Sequence, residues 1–332
     1  METSRTDVRS TAPVALVAGA SRGLGLLVAR ELAERGHRVV GLSRDPDALA
    51  GARDTMRGWG HDLVTHVADV RDVDRLREVV AQVERELGPI EVAIHVAGVI
   101  QVGPVECFDH SHYEQAIDTM LWGPINVTQA VLPGMRERRR GRLGVVTSIG
   151  GMISVPHLVP YSTAKFGAVG YTRGLSADLA GTGITATTIV PGLMRTGSHV
   201  QATFVGNAAA EYAWFAPGAS LPLVSMDARR AATLMVDGVL KGKNIVLLSP
   251  LTKIGVRAHA LAPRAAGAVL GLMSRILPSG DGSSVTPGET VLGHDARAHL
   301  KGPASAVVEG LTVLGNRAST HFNEKRRPNP QG

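Results

Sequence analysis

Tyr161 and Lys165 stand four residues apart in the stretch Tyr161-Ser-Thr-Ala-Lys165, so on a helix they share one face. Ser148 precedes the tyrosine by thirteen residues and follows an apolar stretch that reads as a strand. A phenol has an ordinary pKa of about 10 and exchanges protons poorly near neutrality unless its anion is stabilised. A lysine ammonium beside it provides that stabilisation through charge. Taken alone, a tyrosine–lysine pair at this spacing reads as a surface contact. Its meaning depends on what the fold brings near it.

The second chemical feature is a glycine loop. Gly19-Ala-Ser-Arg-Gly23-Leu-Gly25 lies directly between an apolar run, Val14-Ala-Leu-Val-Ala18, and a helical pattern that continues to about residue 35. Glycines in a first strand–helix turn let the backbone bend sharply and approach a pyrophosphate, which rests on the N–H groups of the helix N-terminus. Gly19, Ser21, Arg22, Gly23, Leu24 and Gly25 are therefore candidate cofactor contacts. The next strand runs into Ser43 and Arg44. An NAD-selective site carries an acidic residue at this point to hold the ribose hydroxyls. Arg44 together with Arg22, and no carboxylate, favours a 2′-phosphate, hence NADP(H) over NAD(H).

For these residues to meet, the chain must bring the ends of several strands to one edge. Strands are expected at 14–18, 38–42, 62–67, 91–96, 143–147, 184–190 and 244–248. Helical patterns fall between them, at 73–87, 112–138 (interrupted near Gly123-Pro124), 161–180 and 228–240. Near-continuous apolar strands alternating with helices imply a parallel sheet covered on both faces. The expected fold class is α/β, a doubly wound Rossmann-type parallel sheet over residues 12–250 with a C-terminal helical extension. Such sheets bind ligands outside the carboxyl ends of their strands, where the glycine loop and Ser148 both fall. Residues 1–11 are expected as a flexible N-terminus and 251–278 as a basic amphipathic helical segment. The remainder, 279–332, reads as a linker and tail with one helix at 304–322.

With these elements in place, the G-x-x-x-G-x-G spacing, Ser148 and the Tyr161–Lys165 pair resemble the classical short-chain dehydrogenase/reductase family. Further matches follow the third, fourth and sixth strands: Asp69-Val70, Ala97-Gly98, and Pro191-Gly192 with Thr196. The resemblance spans about residues 12–250. It implies that Ser148 orients a substrate oxygen, that Tyr161 gives its proton to a carbonyl during hydride transfer, and that Lys165 supports the phenol. It implies that Asp69 faces the adenine amino group, and that Val70, Ala97, Gly98, Pro191, Gly192, Thr196, Tyr161 and Lys165 contact the cofactor. Family members are commonly dimers or tetramers, so a homo-oligomer is expected. Two positions depart from the pattern. Val96 begins what the family writes as Asn-Ala-Gly, and Met120 replaces an asparagine credited with a water that links the lysine to solvent. A thioether does not match that amide's hydrogen-bonding capacity.

Phe204, Tyr212, Trp214 and Phe215 fall within a span of twelve residues, in a chain with 3 Trp, 4 Tyr and 5 Phe. The stretch corresponds to the family's substrate lid, and its character points to an apolar small-molecule substrate. Residues 238–280 hold six lysines and arginines and no acid, which equals the whole net charge of +6. A surplus so localised argues against a general nucleic-acid surface. The basic segment could lie on an anionic membrane surface, or pack on its own domain or a subunit partner. The arginines of residues 136–142 read as a solvated helix end. The single cysteine, Cys107, excludes an internal disulfide and a cysteine-built zinc site, and the histidines show no metal-ligand spacing.

The longest apolar run, residues 265–273, falls well short of the roughly 20 residues of a spanning helix, and the first thirteen residues lack a signal peptide's apolar core. A cytoplasmic protein is expected, with peripheral membrane contact as the alternative. The reading that absorbs most residues is an NADP(H)-dependent oxidoreductase interconverting a carbonyl and an alcohol. Two others stand beside it: a dinucleotide-binding sensor or partner protein with little catalysis, to which Met120 and Val96 point, and a membrane-surface lipid or steroid reductase.

Overall fold

The computed structural model describes residues 12–221, 224–279, 290–300 and 303–324. The expected flexible N-terminus, most of the linker and the end of the tail lie outside these residues.

In chain order the strands begin with β1 (Val14–Ala18), β2 (Arg38–Ser43), β3 (Val64–Val67) and β4 (Ile90–His95), then the short β5 (Gln101–Val102). They continue with β6 (Gly141–Val146), β7 (Ile184–Val190), β8 (Met194–Arg195), β9 (Thr203–Phe204), β10 (Met226–Asp227), β11 (Ile245–Leu247) and β12 (Val291–Leu292). Seven of them make one parallel sheet in the order β11–β7–β6–β4–β1–β2–β3. Every residue of β1 is buried, as a central strand covered on both faces requires. Strand order reverses at β1, between β2 and β4, and such a switch opens a crevice at the carboxyl edge.

The helices are α1 (Gly23–Glu34), α2 (Pro46–Gly58), α3 (Val73–Glu86), α4 (His110–Ile117), α5 (Gly123–Arg138), α6 (Val159–Asp178) and α7 (Ser198–Gln201). They continue as α8 (Ala208–Gly218), α9 (Ala228–Leu240), α10 (Pro250–Leu261), α11 (Pro263–Ser274), α12 (Gly293–Ala298) and α13 (Pro303–His321). Leu26, Leu32, Met56 and Met235 bury α1, α2 and α9 on one face of the sheet. Leu76, Val83, Val131 and Met135 bury α3 and α5 on the other. Asp45, Asp72 and Asp227 fix where α2, α3 and α9 begin, each accepting a backbone N–H of the first turn.

The interruption expected near Gly123-Pro124 has a specific form. A π turn, Asp118–Trp122, joins α4 to α5 and carries Met120. Such turns often sit at functional positions.

The C-terminal segment, residues 250–274, is helical in two pieces. The break falls where Ala262 leaves helical geometry (φ −137°, ψ 63°) ahead of Pro263, as a residue before proline tends to. Apolar side chains along the segment and just beyond it stay in solvent: Leu261 is 87% exposed, Ile276 81%, and α11 buries no residue at all. By contrast α13 returns to the main body. Its last turn packs Ser319 against Gly197, and Phe322 just beyond it enters the core beside α1 and α9. Among the described residues, no helix is long and apolar enough to cross a membrane.

Candidate active site

Ser148 leaves the carboxyl end of β6, and its Oγ accepts the Gly150 N–H at 3.0 Å in a tight turn over Ile149–Gly151. That turn lies against α6: the Tyr161 ring flanks Gly150, and the Lys165 backbone flanks Gly151. The i, i+4 spacing thus delivers what it implied, since Ser148, Tyr161 and Lys165 meet at one edge of the sheet. Lys165 is buried, donates from Nζ to the Val146 carbonyl at 2.8 Å, and lies 5.8 Å from the Tyr161 ring centroid. Burial lowers its pKa to about 8. Burial also raises the Tyr161 pKa above its ordinary value, against the opposing hydrogen bond to Ser148. The depressed phenol pKa expected from the lysine is therefore not realised. Desolvation dominates, and the ammonium is engaged by a main-chain carbonyl. Tyr161 holds its proton at neutral pH.

Met120 faces this group from the π turn. It is 1% exposed, packs with Ala116 and Ala164, and touches Tyr161. Its Sδ lies 3.4 Å from the point where a Cβ on Gly98 would stand, and Lys165 Nζ lies 3.9 Å from the same point. A thioether therefore fills space beside the lysine. Sequence reasoning missed His95 at the end of β4. The imidazole is buried, neither nitrogen has a partner, and burial followed by the Lys165 charge lowers its pKa to about 3. A histidine at the end of a mostly apolar strand was the available signal.

The other expected cofactor residues line loops at the same edge. Gly19 has φ +91°, and a Cβ there would come within 2.6 Å of the Ala97 backbone nitrogen. Only glycine allows that approach of the first and fourth strand ends. Gly25 packs on the Gly19 carbonyl inside the loop, Ser21 is buried, Leu24 is half-buried, and Arg22 is exposed. Half-buried Ser43 ends β2, and exposed Arg44 follows it. Asp69 is engaged by Arg71, which donates through Nε and Nη2 at 2.7–3.1 Å and lowers the carboxyl pKa. Val70 is buried beside Gly123. The Pro191 carbonyl accepts the Ile149 N–H at 2.8 Å, Gly192 sits over Thr252, and buried Thr196 accepts the Ser198 N–H at 3.2 Å.

In backbone shape and in charge these residues fit a phosphorylated dinucleotide. At Gly23 the C-terminal residues lie on the loop: the Gly23 N–H donates to the Phe322 carbonyl at 2.7 Å, and the Glu324 carboxylate packs on the glycine. Nothing in the polar tail signalled this.

The aromatic stretch forms a core of its own. Phe204, Tyr212 and Phe215 are buried with Leu158, Ala296 and Val308, with ring centroids 5.7 and 6.0 Å apart in edge-to-face pairs. Trp214 is partly exposed, and its Nε1 donates to Glu211 at 2.6 Å. Glu211 in turn binds His157 Nδ1 at 2.9 Å inside the protein. Trp214 also borders a groove of about 590 Å³ with Ala210, Ala213, Ile276 and Leu277. Neither Ser148, Tyr161 nor Lys165 lines that groove, so it is not where their chemistry takes place.

The family model for short chain dehydrogenase matches residues 13–203. Acetoacetyl-CoA reductase of Paracoccus denitrificans is 35% identical over 187 residues, covering 56% of this chain and 75% of that protein. A short-chain dehydrogenase structure from Streptomyces avermitilis superposes with a TM-score of 0.67 at 27% identity, covering 80% of this chain and 98% of that one. A variant of actinorhodin polyketide ketoreductase with NADPH gives a TM-score of 0.63 at 28% identity, covering 73% and 97%. With the doubly wound sheet, the glycine loop and the serine–tyrosine–lysine edge, these matches make the chain a member of the short-chain dehydrogenase/reductase family, an NAD(P)-dependent oxidoreductase acting between carbonyl and alcohol on a small molecule.

Proposed function

We propose that this chain reduces the ketone of an apolar acyl-type small molecule with NADPH. The observation that carries the reading is the meeting of Ser148, Tyr161 and Lys165 at one edge of the sheet. A bound nicotinamide dinucleotide supplies the hydride. Ser148 holds the substrate oxygen, and the Tyr161 O–H donates its proton to that oxygen as negative charge gathers there. Lys165, cationic below about pH 8, lowers the cost of the phenolate left behind. A phenol that keeps its proton at neutral pH can serve as the donor when the carbonyl is reduced. Arg22 and Arg44 are assigned to the 2′-phosphate, and the glycine loop to the pyrophosphate. The stretch with Phe204, Tyr212, Trp214 and Phe215 is assigned to covering the substrate side. Proton resupply to Lys165 does not pass through the Met120 side chain.

The names of the relatives support the acyl-ketone class, one reducing acetoacetyl-CoA and one a polyketide. The test is a panel of acyl ketones, steroids, retinoids and quinones followed by the loss of NADPH absorbance. Turnover of acyl ketones, faster with NADPH than NADH, is expected. No turnover across the panel, with NADPH still bound, favours the sensor reading.

A second reading, of where substrate comes from, rests on α10 and α11. Thr252 anchors α10 beneath Gly192, and Gly255 faces Ile149 and Ile153 at 3.6 Å, so the arm springs from the rim of the site. It carries Lys253, Arg257, Arg264 and Arg275 with no acid, alongside exposed Ile254, Leu261, Val269 and Ile276. An anionic lipid surface complements both features.

A further inference from the structure

Residues 322–324 touch the dinucleotide loop at three points and two neighbouring elements, α2 and α7, besides. The Gly23 N–H, one of the first-turn donors of α1 that have no helical acceptor, is taken by the Phe322 carbonyl at 2.7 Å. Asn323 Nδ2 donates to the Ser21 carbonyl at 2.8 Å and to the Ala48 carbonyl at 3.1 Å, tying the glycine loop to α2. Gln201 Nε2 donates to the Glu324 carbonyl oxygen at 2.6 Å, which fixes the segment from the opposite side. Finally, the Glu324 side chain rests in the space a Cβ on Gly23 would fill. It is 5% exposed, and its Oε2 has no hydrogen-bond partner.

A buried carboxyl group with one unpartnered oxygen, packed on a helix N-terminus, is what an anion-binding site looks like when a side chain of the same protein fills it. We propose that Phe322–Glu324 is part of the dinucleotide site: Glu324 takes the place of a cofactor phosphate at the start of α1, so the segment and the cofactor compete for the glycine loop. Glu324 thereby sets cofactor affinity from a position remote in sequence. The proposal rests on the assignment of this loop to a dinucleotide phosphate.

Among the described residues Arg22 is the charged group that acts on Glu324, and it favours the ionised carboxylate. Burial outweighs it and raises the Glu324 pKa to about 8. The seated segment therefore holds a proton that the released segment, with an ordinary carboxylic acid, gives up. Seating is strongest at acid pH and weakens as pH rises towards 8.

The experiment is calorimetric titration of NADPH into the native chain, Glu324→Ala and Glu324→Gln between pH 5.5 and 8.5. Phe322 and its core packing are retained in both variants. Glu324→Ala is expected to bind NADPH about tenfold or more tighter than native at pH 6. Native affinity is expected to gain on that of Glu324→Gln as pH rises, because the neutral amide cannot leave by ionising. The cofactor's own 2′-phosphate titrates in this range, so the difference between native and variant is the quantity that counts. Equal or weaker binding by Glu324→Ala, with native binding intact, overturns the competition and leaves the cofactor assignment standing. No binding by any of the three overturns both.

Discussion

Burial acts on three ionisable side chains at this edge, and each time it favours the neutral form. Lys165 is pulled down to about 8, His95 to about 3, and the Tyr161 phenol is pushed up. The spacing of Ser148, Tyr161 and Lys165 was legible because their contacts are short-range along α6 and the adjoining turn. Their ionisation was not, since desolvation depends on what every other element places around them. His95 and Glu324 escaped notice for the same reason. Arg44 gives the residue-scale prediction. Replacing it with aspartate should weaken NADPH binding far more than NADH binding, by about tenfold, since a charge-assisted bond contributes roughly 1.5–3 kcal/mol and this arginine is exposed to screening. Dissociation constants for the two cofactors check it, and an equal loss for both would remove Arg44 from the phosphate site.

At the scale of elements, the strands of the sheet were the most legible because both faces are buried and the apolar runs are continuous. The expected 184–190 and 228–240 coincide with β7 and α9. The basic C-terminal segment is two helices that part at Pro263, a break the proline in the sequence accounts for. What the sequence left open was whether its apolar face is covered, and in the structure it lies bare. If that face meets lipid, the chain should sediment with phosphatidylserine-containing vesicles at low salt and not with neutral phosphatidylcholine vesicles. Release at about 0.5 M salt follows from screening of the four exposed cations. Self-association without vesicle binding would assign the face to a second copy instead.

Across the whole molecule, alternation of strand and helix led to the doubly wound sheet, and the glycine loop and Ser148 then pointed to its carboxyl edge, where the strand order reverses at β1. The return of residues 322–324 to the glycine loop was not legible. Asn323 bonds Ser21 across 302 residues, and no local pattern encodes such a contact. Phe322 anchors it, and burying a phenylalanine side chain is worth roughly 1.5–3 kcal/mol, enough to hold the segment near the loop when Glu324 is changed. The central claim remains that Tyr161 gives its proton to a substrate carbonyl at this edge. The most direct measurement is single-turnover reduction of an acyl ketone by preloaded NADPH in the native chain and in Tyr161→Phe, with NADPH affinity measured in both. The account predicts loss of hydride transfer by a factor of about a hundred or more, in line with removal of a general acid, at nearly unchanged NADPH affinity. Native-like reduction by Tyr161→Phe would contradict it.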